Sequence, residues 1–346
     1  MRKLFAVLLL FSLLLTALPG TVFAQTPGIQ VERLEFAVRL NDNQTHTIVG
    51  YLYTRQGNPD ETEQCGKRSR TVQVLLAGAT YNHRYWDVPT INGIDYSYAR
   101  TMAAQCYSVL ALDRLGTGES SRPSGDFISL AVEADGIAQI LASLRTNQNP
   151  TQRRFKRIVL VGHSFGTLLS VYTLGEYGNV ADALVATGWV HVPGTVPLTP
   201  EYVQSLLQME HIQVAPDVRN ILFYYPGSAD PAVIDYDNAN INDTLPRAFF
   251  LDGINVFTAR ALGDVALTKT LTRVDQVSVP VFVQLGDNDI LFPSAIAGAE
   301  ASFYSSAPSV TVDNLTNIGH GFNLHTNHAE GWQHIEAWIA NNVVNN

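Results

Sequence analysis

Residues 158 to 169 read Ile-Val-Leu-Val-Gly-His-Ser-Phe-Gly-Thr-Leu-Leu, and no other stretch restricts the fold as tightly. Ile158 to Val161 is a short apolar, β-branched run, the pattern of a strand buried on both faces of a parallel sheet. Gly162-His163-Ser164-Phe165-Gly166 follows at once, and Thr167 to Tyr177 then carries helical patterning. A chain that passes so abruptly from strand to helix must bring two backbones close together. Glycines on either side of the turn leave room for that approach. They also allow Ser164 a strained conformation that projects its hydroxyl from the strand's C-terminal end. The pentapeptide alone is a weak signal. The strand before it and the helix after it make Ser164 a candidate nucleophile.

The same alternation extends over much of the chain. Gln30 to Leu40 and Thr45 to Arg55 alternate apolar and polar residues around Asn41-Asp42-Asn43, which predicts an opening β-hairpin. A polar loop, Gly57 to Arg70, precedes strand and helix in turn. These are a strand over 71–77, a helix around 96–105 and a strand over 107–113. A helix follows with Leu130, Ala134, Ile137, Leu141 and Leu144 at helical spacing, then the 157–162 strand and a strand over 183–187. Alternation resumes with a strand over 279–285, a helix from Ser294, a strand over 310–315 and a last helix bearing Trp332, Ile335, Trp338 and Ile339. Repeated β-then-α units imply an α/β fold, with a mostly parallel sheet covered by helices on both faces and made mixed by the hairpin. The stretch from Trp189 to Asp275 is far too long for a loop. It reads as an inserted helical cap, with one helix started by Thr199-Pro200-Glu201. The domain reading is therefore core 25–188, cap 189–275 and core 276–346.

Residues 1–24 are expected to be a signal peptide. Met1-Arg2-Lys3 is basic, Leu4 to Leu18 is almost wholly apolar, and Val22-Phe23-Ala24 offers a cleavage site before Gln25. The apolar run is short for a membrane span. A secreted or periplasmic location is expected, with no stable membrane insertion after cleavage; an uncleaved N-terminal anchor is the alternative. Losing Arg2 and Lys3 takes the net charge from −9 to −11, which argues against nucleic acid or an anionic membrane as partner. The basic clusters Lys67-Arg68-Arg70 and Arg153-Arg154-Lys156-Arg157 each precede a strand and read as solvated surface at the sheet's far edge. Two cysteines in an exported chain invite a disulfide. Cys65 and Cys106 each precede a strand. If those strands are parallel neighbours, both sulfurs lie at one end of the sheet.

A serine nucleophile needs a base to take its proton and a carboxylate to orient that base. At this point the chain resembles the α/β-hydrolase superfamily, over essentially its whole mature length. That family places nucleophile, acid and histidine in that chain order, after successive strands. Ser164 matches the nucleophile position. Gly286-Asp287-Asn288-Asp289, with Pro293 beyond, resembles the acid segment and selects Asp289, with Asp287 as rival. Ile318-Gly319-His320-Gly321 resembles the histidine segment and selects His320. The resemblance further implies an oxyanion hole from the amide of Phe165 and one after the 71–77 strand. There Gly78 is kept but the family's frequent histidine is not, so Ala79 is the second donor on weaker grounds. His163, Tyr81 and Trp86 are candidates to line the substrate pocket. Packing beside the sheet is the alternative for His163, and packing under its loop the alternative for Trp86. Asp113 reads as a loop anchor.

The remaining polar residues have plainer expectations. His325, His328 and His334 belong to the approach and body of the last helix and are expected at its surface. His46 belongs to the hairpin and His211 to the cap. Asp230, Asp235, Asp237 and Asp243 form an acidic cap segment without the glycine and glutamate of a calcium loop, so a solvated loop is expected, and no metal or cofactor. The resemblance implies cleavage of a small-molecule carboxylic ester or lactone through an acyl-enzyme. A serine peptidase or amidase of the same fold is the enzyme rival, and a non-catalytic binding module the rival of another class.

Overall fold

The computed structural model describes residues 28–57 and 65–345, so the expected signal peptide at 1–24 and the mature start at Gln25 lie outside the described residues. The strands in chain order are β1 (Ile29–Arg39), β2 (Thr45–Arg55), β3 (Thr71–Leu76), β4 (Ser108–Leu112), β5 (Arg157–His163), β6 (Ala183–Thr187), β7 (His211–Ile212), β8 (Leu245–Pro246), β9 (Val281–Gly286) and β10 (Val310–Leu315). Eight of them make one sheet in the order β1-β2-β4-β3-β5-β6-β9-β10. The opening hairpin pairs Ile29 with Arg55 through Arg39 with Thr45, and β2 runs antiparallel to β4. Every other pairing in this sheet is parallel. Asn43 closes the hairpin at φ 62°, a left-handed conformation that asparagine tolerates.

The interior strands β3, β4, β5, β6 and β9 are buried along their whole length apart from the first residue of β5. Burial on both faces requires the continuous apolar runs seen in the sequence. Helices α1 (Tyr98–Ala104) and α9 (His328–Ile339) cover one face, where the rings of Tyr98 and Trp332 meet edge-on at 5.8 Å. Helices α2 (Leu130–Leu144) and α3 (Phe165–Tyr177) pack together on the other. The α2 stripe Leu130, Ala134, Ile137, Leu141 and Leu144 is buried, each large side chain contributing roughly 1.5–3 kcal/mol by leaving water. Ser129 caps that helix, its hydroxyl accepting from the Val132 amide.

Between β6 and β9 the chain forms helices α4 (Pro200–Leu206), α5 (Pro216–Phe223), α6 (Pro231–Tyr236), α7 (Arg247–Ala261) and α8 (Val265–Thr272), with β7 and β8 paired as a small ribbon. Thr199 caps α4 as its sequence suggests, with Pro200 in the first turn. Cys65 and Cys106 are joined by a disulfide beside the parallel neighbours β3 and β4. The helix expected from Ser294 forms as 3₁₀ turns over Ser294–Ser302 instead. Here the Glu300 carboxylate turns inward to accept from both the amide and Nδ1 of His191. At the N-terminal ends of β3 and β5, Arg70, Arg154 and Lys156 are exposed around an open cavity of about 670 Å³.

Candidate active site

The end of β5 determines where Ser164 sits. Ser164 adopts φ 54°, ψ −121°, a region that side chains other than glycine rarely occupy, so the turn stores strain that the surrounding packing must hold. Its amide donates to the Thr187 carbonyl on the neighbouring strand, and its own carbonyl accepts from Thr167 and Leu168 as α3 begins. The flanking glycines make this turn possible. A Cβ on Gly166 would stand 2.0 Å from the Leu76 carbonyl oxygen, and one on Gly162 2.6 Å from the backbone of Thr167. Both contacts lie well inside van der Waals range, so the strand-to-helix crossing needs glycine at each position.

Ser164, His320 and Asp289 are brought together from segments far apart in the chain. His320 Nε2 lies 2.8 Å from the Ser164 hydroxyl, and His320 Nδ1 lies 2.8 Å from Asp289 Oδ2. A carboxylate only accepts, so the imidazole proton sits on Nδ1 and Nε2 is free to receive the serine proton. All three side chains are buried. The other oxygen of Asp289 accepts from the amides of Leu291 at 2.9 Å and Phe292 at 3.0 Å, which fixes the carboxylate plane. Asp287 is exposed and bonds to the Asn288 amide instead, so only Asp289 reaches the histidine.

The loop after β3 runs beside Ser164. A Cβ on Gly78 would lie 3.0 Å from the Ser164 Cβ, so this loop passes directly against the serine, with Ala79 the next residue along it. Among the described residues no acceptor takes the amide hydrogens of Phe165 or Ala79. The loop itself is tied down from several directions. Arg114 donates to the Gly78 carbonyl at 3.0 Å, the Asp243 amide donates to the Thr80 carbonyl, and Arg219 donates to the Thr80 hydroxyl. Asp113 accepts from the amide and ring of His83 and from the Glu119 amide, and so anchors the loops on either side of the site.

The three pocket candidates are buried side chains. His163 lies under His320, ring centroids 4.9 Å apart, and stacks on Tyr85 at 4.8 Å. Its Nδ1–H donates to the Thr187 hydroxyl, which in turn donates to the Gly162 carbonyl. Burial, with the His320 ring beside it, pushes His163 well below the ordinary imidazole range, so it is neutral. Trp86 packs beneath its loop against Tyr85 and Tyr98. Tyr81 is fully buried, and its hydroxyl donates to Asp237 at 3.1 Å. An open cavity of about 330 Å³ lies between α4 and α7, lined by Val196, Leu198, Val203, Ile254, Phe257 and Ala261 among others. The Phe257 ring packs on Phe292 at 5.9 Å, and Phe292 lies 5.8 Å from His320. These are packing contacts, and neither His320 nor Ser164 is among the residues that line the cavity.

Several polar groups are placed differently from the sequence-based expectations. His325 and His328 are buried, not at the helix surface, because backbone groups of the cap and of the loop after β10 surround the first, and carbonyls of His325 and Asp95 the second. His334 is exposed. Asp237 is not solvated. It is buried and accepts from Arg219 at 2.6 Å, Tyr224 at 2.7 Å and Tyr81. Burial pushes its carboxyl upward, opposed by the Arg219 charge and these hydrogen bonds. Nothing in the local sequence marks Arg219 or His325 as interior, since each also depends on a partner a hundred or more residues away, Thr80 for the first and Tyr225 for the second.

Residues 73–330 match the model of the alpha/beta hydrolase family. The chain belongs to that family. Solved structures resemble the hydrolase over nearly its whole length at low identity. A thermophilic esterase from Thermogutta terrifontis is 16% identical with a TM-score of 0.57, covering 88% of this chain and 97% of its own. A monoacylglycerol lipase from Paleococcus ferrophilus is 15% identical at 0.58, covering 90% and 98%. A bromoperoxidase from Bacillus anthracis is 15% identical at 0.57, covering 89% and 100%. Relatives this distant establish the fold, and their differing names show that fold alone does not choose the reaction. A search of the curated proteins gives no match.

Proposed function

We propose that the hydrolase is a secreted serine enzyme that cleaves carboxylic esters or lactones through an acyl-enzyme intermediate. The observation that carries this is the unbroken relay Ser164–His320–Asp289, with both hydrogen bonds at 2.8 Å, on a turn strained at φ 54°. In this reading Ser164 Oγ attacks the carbonyl carbon while His320 Nε2 takes its proton. Asp289 holds the Nδ1–H tautomer and stabilises the imidazolium. The carbonyl oxygen gathers negative charge against the amides of Phe165 and Ala79, one at the N-terminus of α3 and the other on the tethered loop. His320 then gives its proton to the leaving alkoxide, leaving an ester on Ser164. A water activated by the same nitrogen hydrolyses that ester and restores the serine. For a lactone the leaving alkoxide remains attached, so the product is one hydroxy acid.

The rings nearest His320 are those of His163, Phe223 and Phe292, an apolar surround that supports an uncharged acyl group rather than a charged one. The disulfide and the basic-then-apolar opening of the chain support export. The test is hydrolysis of p-nitrophenyl esters of graded chain length beside p-nitroanilide amides of the same acids. Ester cleavage abolished by Ser164→Ala supports the reading. Faster amide cleavage would move the protein to the peptidase and amidase class, and activity surviving in Ser164→Ala would remove the serine from the chemistry.

A further inference from the structure

His325 makes three hydrogen bonds through one buried ring, and two of them flank the histidine at the centre of the site. Its Nδ1–H donates to the Gly321 carbonyl at 2.9 Å. Its Nε2 then carries only a lone pair, which two amides share, Tyr225 N–H at 3.0 Å and Gly319 N–H at 3.2 Å. Gly319 and Gly321 are the residues on either side of His320. Tyr225 belongs to the cap, just after α5, so the same ring joins the cap to the peptide units that carry His320.

The junction around this ring is close and polar. The Gly321 amide donates to the Phe223 carbonyl at 2.7 Å, the Thr326 amide to the Ser228 carbonyl at 2.8 Å, and the Ser228 hydroxyl to the Asn317 carbonyl. A Cβ on Gly319 would stand 2.7 Å from the Tyr225 nitrogen, so only glycine lets the cap backbone approach this far. The next turn of α5 reaches the other side of the site, where Arg219 donates to Thr80 beside Ala79. Burial pushes the His325 imidazole down to about 4, which keeps it neutral and keeps Nε2 an acceptor near neutral pH. A protonated ring would turn a third N–H toward two amides that have no other acceptor there.

We propose that His325 is a positioning residue. It holds the His320 loop in line between Ser164 and Asp289 by tying both neighbouring peptide units to the cap at Tyr225. The proposal rests on the reading of His320 as the base. It also gives the cap a part in the chemistry without placing a cap side chain on the substrate.

The experiment compares His325→Gln, His325→Asn and His325→Leu in the full-length protein, with rates per titrated active site on p-nitrophenyl acetate. Glutamine can place its carbonyl oxygen where Nε2 lies and so keep the acceptor for both amides. Asparagine can keep only the donor to Gly321, and leucine keeps neither. Misplacing a base by about 1 Å costs on the order of 100-fold, so Asn and Leu should lower kcat by about that factor. KM for this small ester should change less than about threefold, because the loss falls on proton transfer rather than binding. Glutamine should recover kcat to within about tenfold of wild type. Should leucine fail to fold, the Gln and Asn pair decides the question on its own. Equal kcat in Gln and Asn, or a lowered Tm with wild-type kcat per active site, overturns the proposal. Ser164→Ala and His320→Ala run alongside. Activity in either one refutes the serine–histidine reading itself, whereas inactivity of both with a fully active His325→Asn variant refutes only the role of His325.

Discussion

Asp289→Asn separates a carboxylate that orients the base from one that merely fills space. The structure determines how the amide would sit. One oxygen of Asp289 accepts from the Leu291 and Phe292 amides at 2.9 and 3.0 Å, and only an oxygen can take those two donors. The asparagine NH₂ is therefore forced to the other side, facing His320 Nδ1. To accept from it, Nδ1 must lose its proton, and the imidazole adopts the Nε2–H tautomer. That tautomer points a hydrogen at the Ser164 hydroxyl and cannot take the serine proton. A wrong tautomer in intact geometry costs about 10⁴-fold in kcat, or about 5.5 kcal/mol of barrier. The fold should be little affected, since the substitution is isosteric and keeps both backbone hydrogen bonds. Asp287→Asn is the matched control, because Asp287 is exposed and its carboxylate accepts from the Asn288 amide rather than facing His320, and it should stay within about twofold of wild type. The assay is initial-rate hydrolysis of p-nitrophenyl acetate, with circular dichroism to confirm equal folding. Retention of more than a tenth of wild-type kcat in Asp289→Asn, or a larger loss in Asp287→Asn, would refute this reasoning.

Other expectations concern stability. His325 in the folded protein is pushed down to about 4, against an ordinary value near 6.5 in the unfolded chain, so between these values the unfolded state binds the extra proton. Stability is thus fully present above pH 6.5 and falls as pH drops toward 4, by up to about 3 kcal/mol for this group. His163, also pushed down, adds to the same trend, and His325→Gln should flatten the slope of unfolding free energy against pH. Arg219→Met leaves the buried Asp237 carboxylate without its cation and should cost roughly 3–5 kcal/mol in urea unfolding, with a smaller loss if Asp237→Asn is added. Replacing Cys65 and Cys106 by alanine opens a loop with a sequence separation of 41 residues and should cost about 4 kcal/mol in the same assay. No change in the midpoint would count against a disulfide in the native protein.

The parts of the molecule that were legible in the sequence share a physical cause. Strands such as β5 and β6 announce themselves because burial on both faces demands an unbroken apolar run, and α2 because one buried stripe imposes helical spacing. Ser164 was legible for a related reason, since its turn needs Gly162 and Gly166 at fixed offsets. Asp289 over Asp287 depended on the family likeness rather than on the residues themselves. The hidden part is the polar interior. Asp237 reads as one of several exposed carboxylates until Arg219, Tyr81 and Tyr224 close on it, and His325 reads as a surface histidine until the cap backbone meets it. Such groups carry no local periodicity, and their burial depends on partners that only the tertiary fold supplies. The 3₁₀ turns at Ser294–Ser302 were missed for a similar reason, because Glu300 is buried against His191 across the cap boundary.

The central claim is that Ser164 forms a covalent bond to substrate. The most direct test is reaction of the purified protein with a fluorophosphonate, followed by mass mapping of the peptides and assay of remaining ester hydrolysis. The account predicts a single adduct per chain, on Ser164, growing in step with loss of activity and absent from Ser164→Ala. An adduct on another residue with Ser164 unmodified, or full ester hydrolysis after Ser164 is completely labelled, would contradict it.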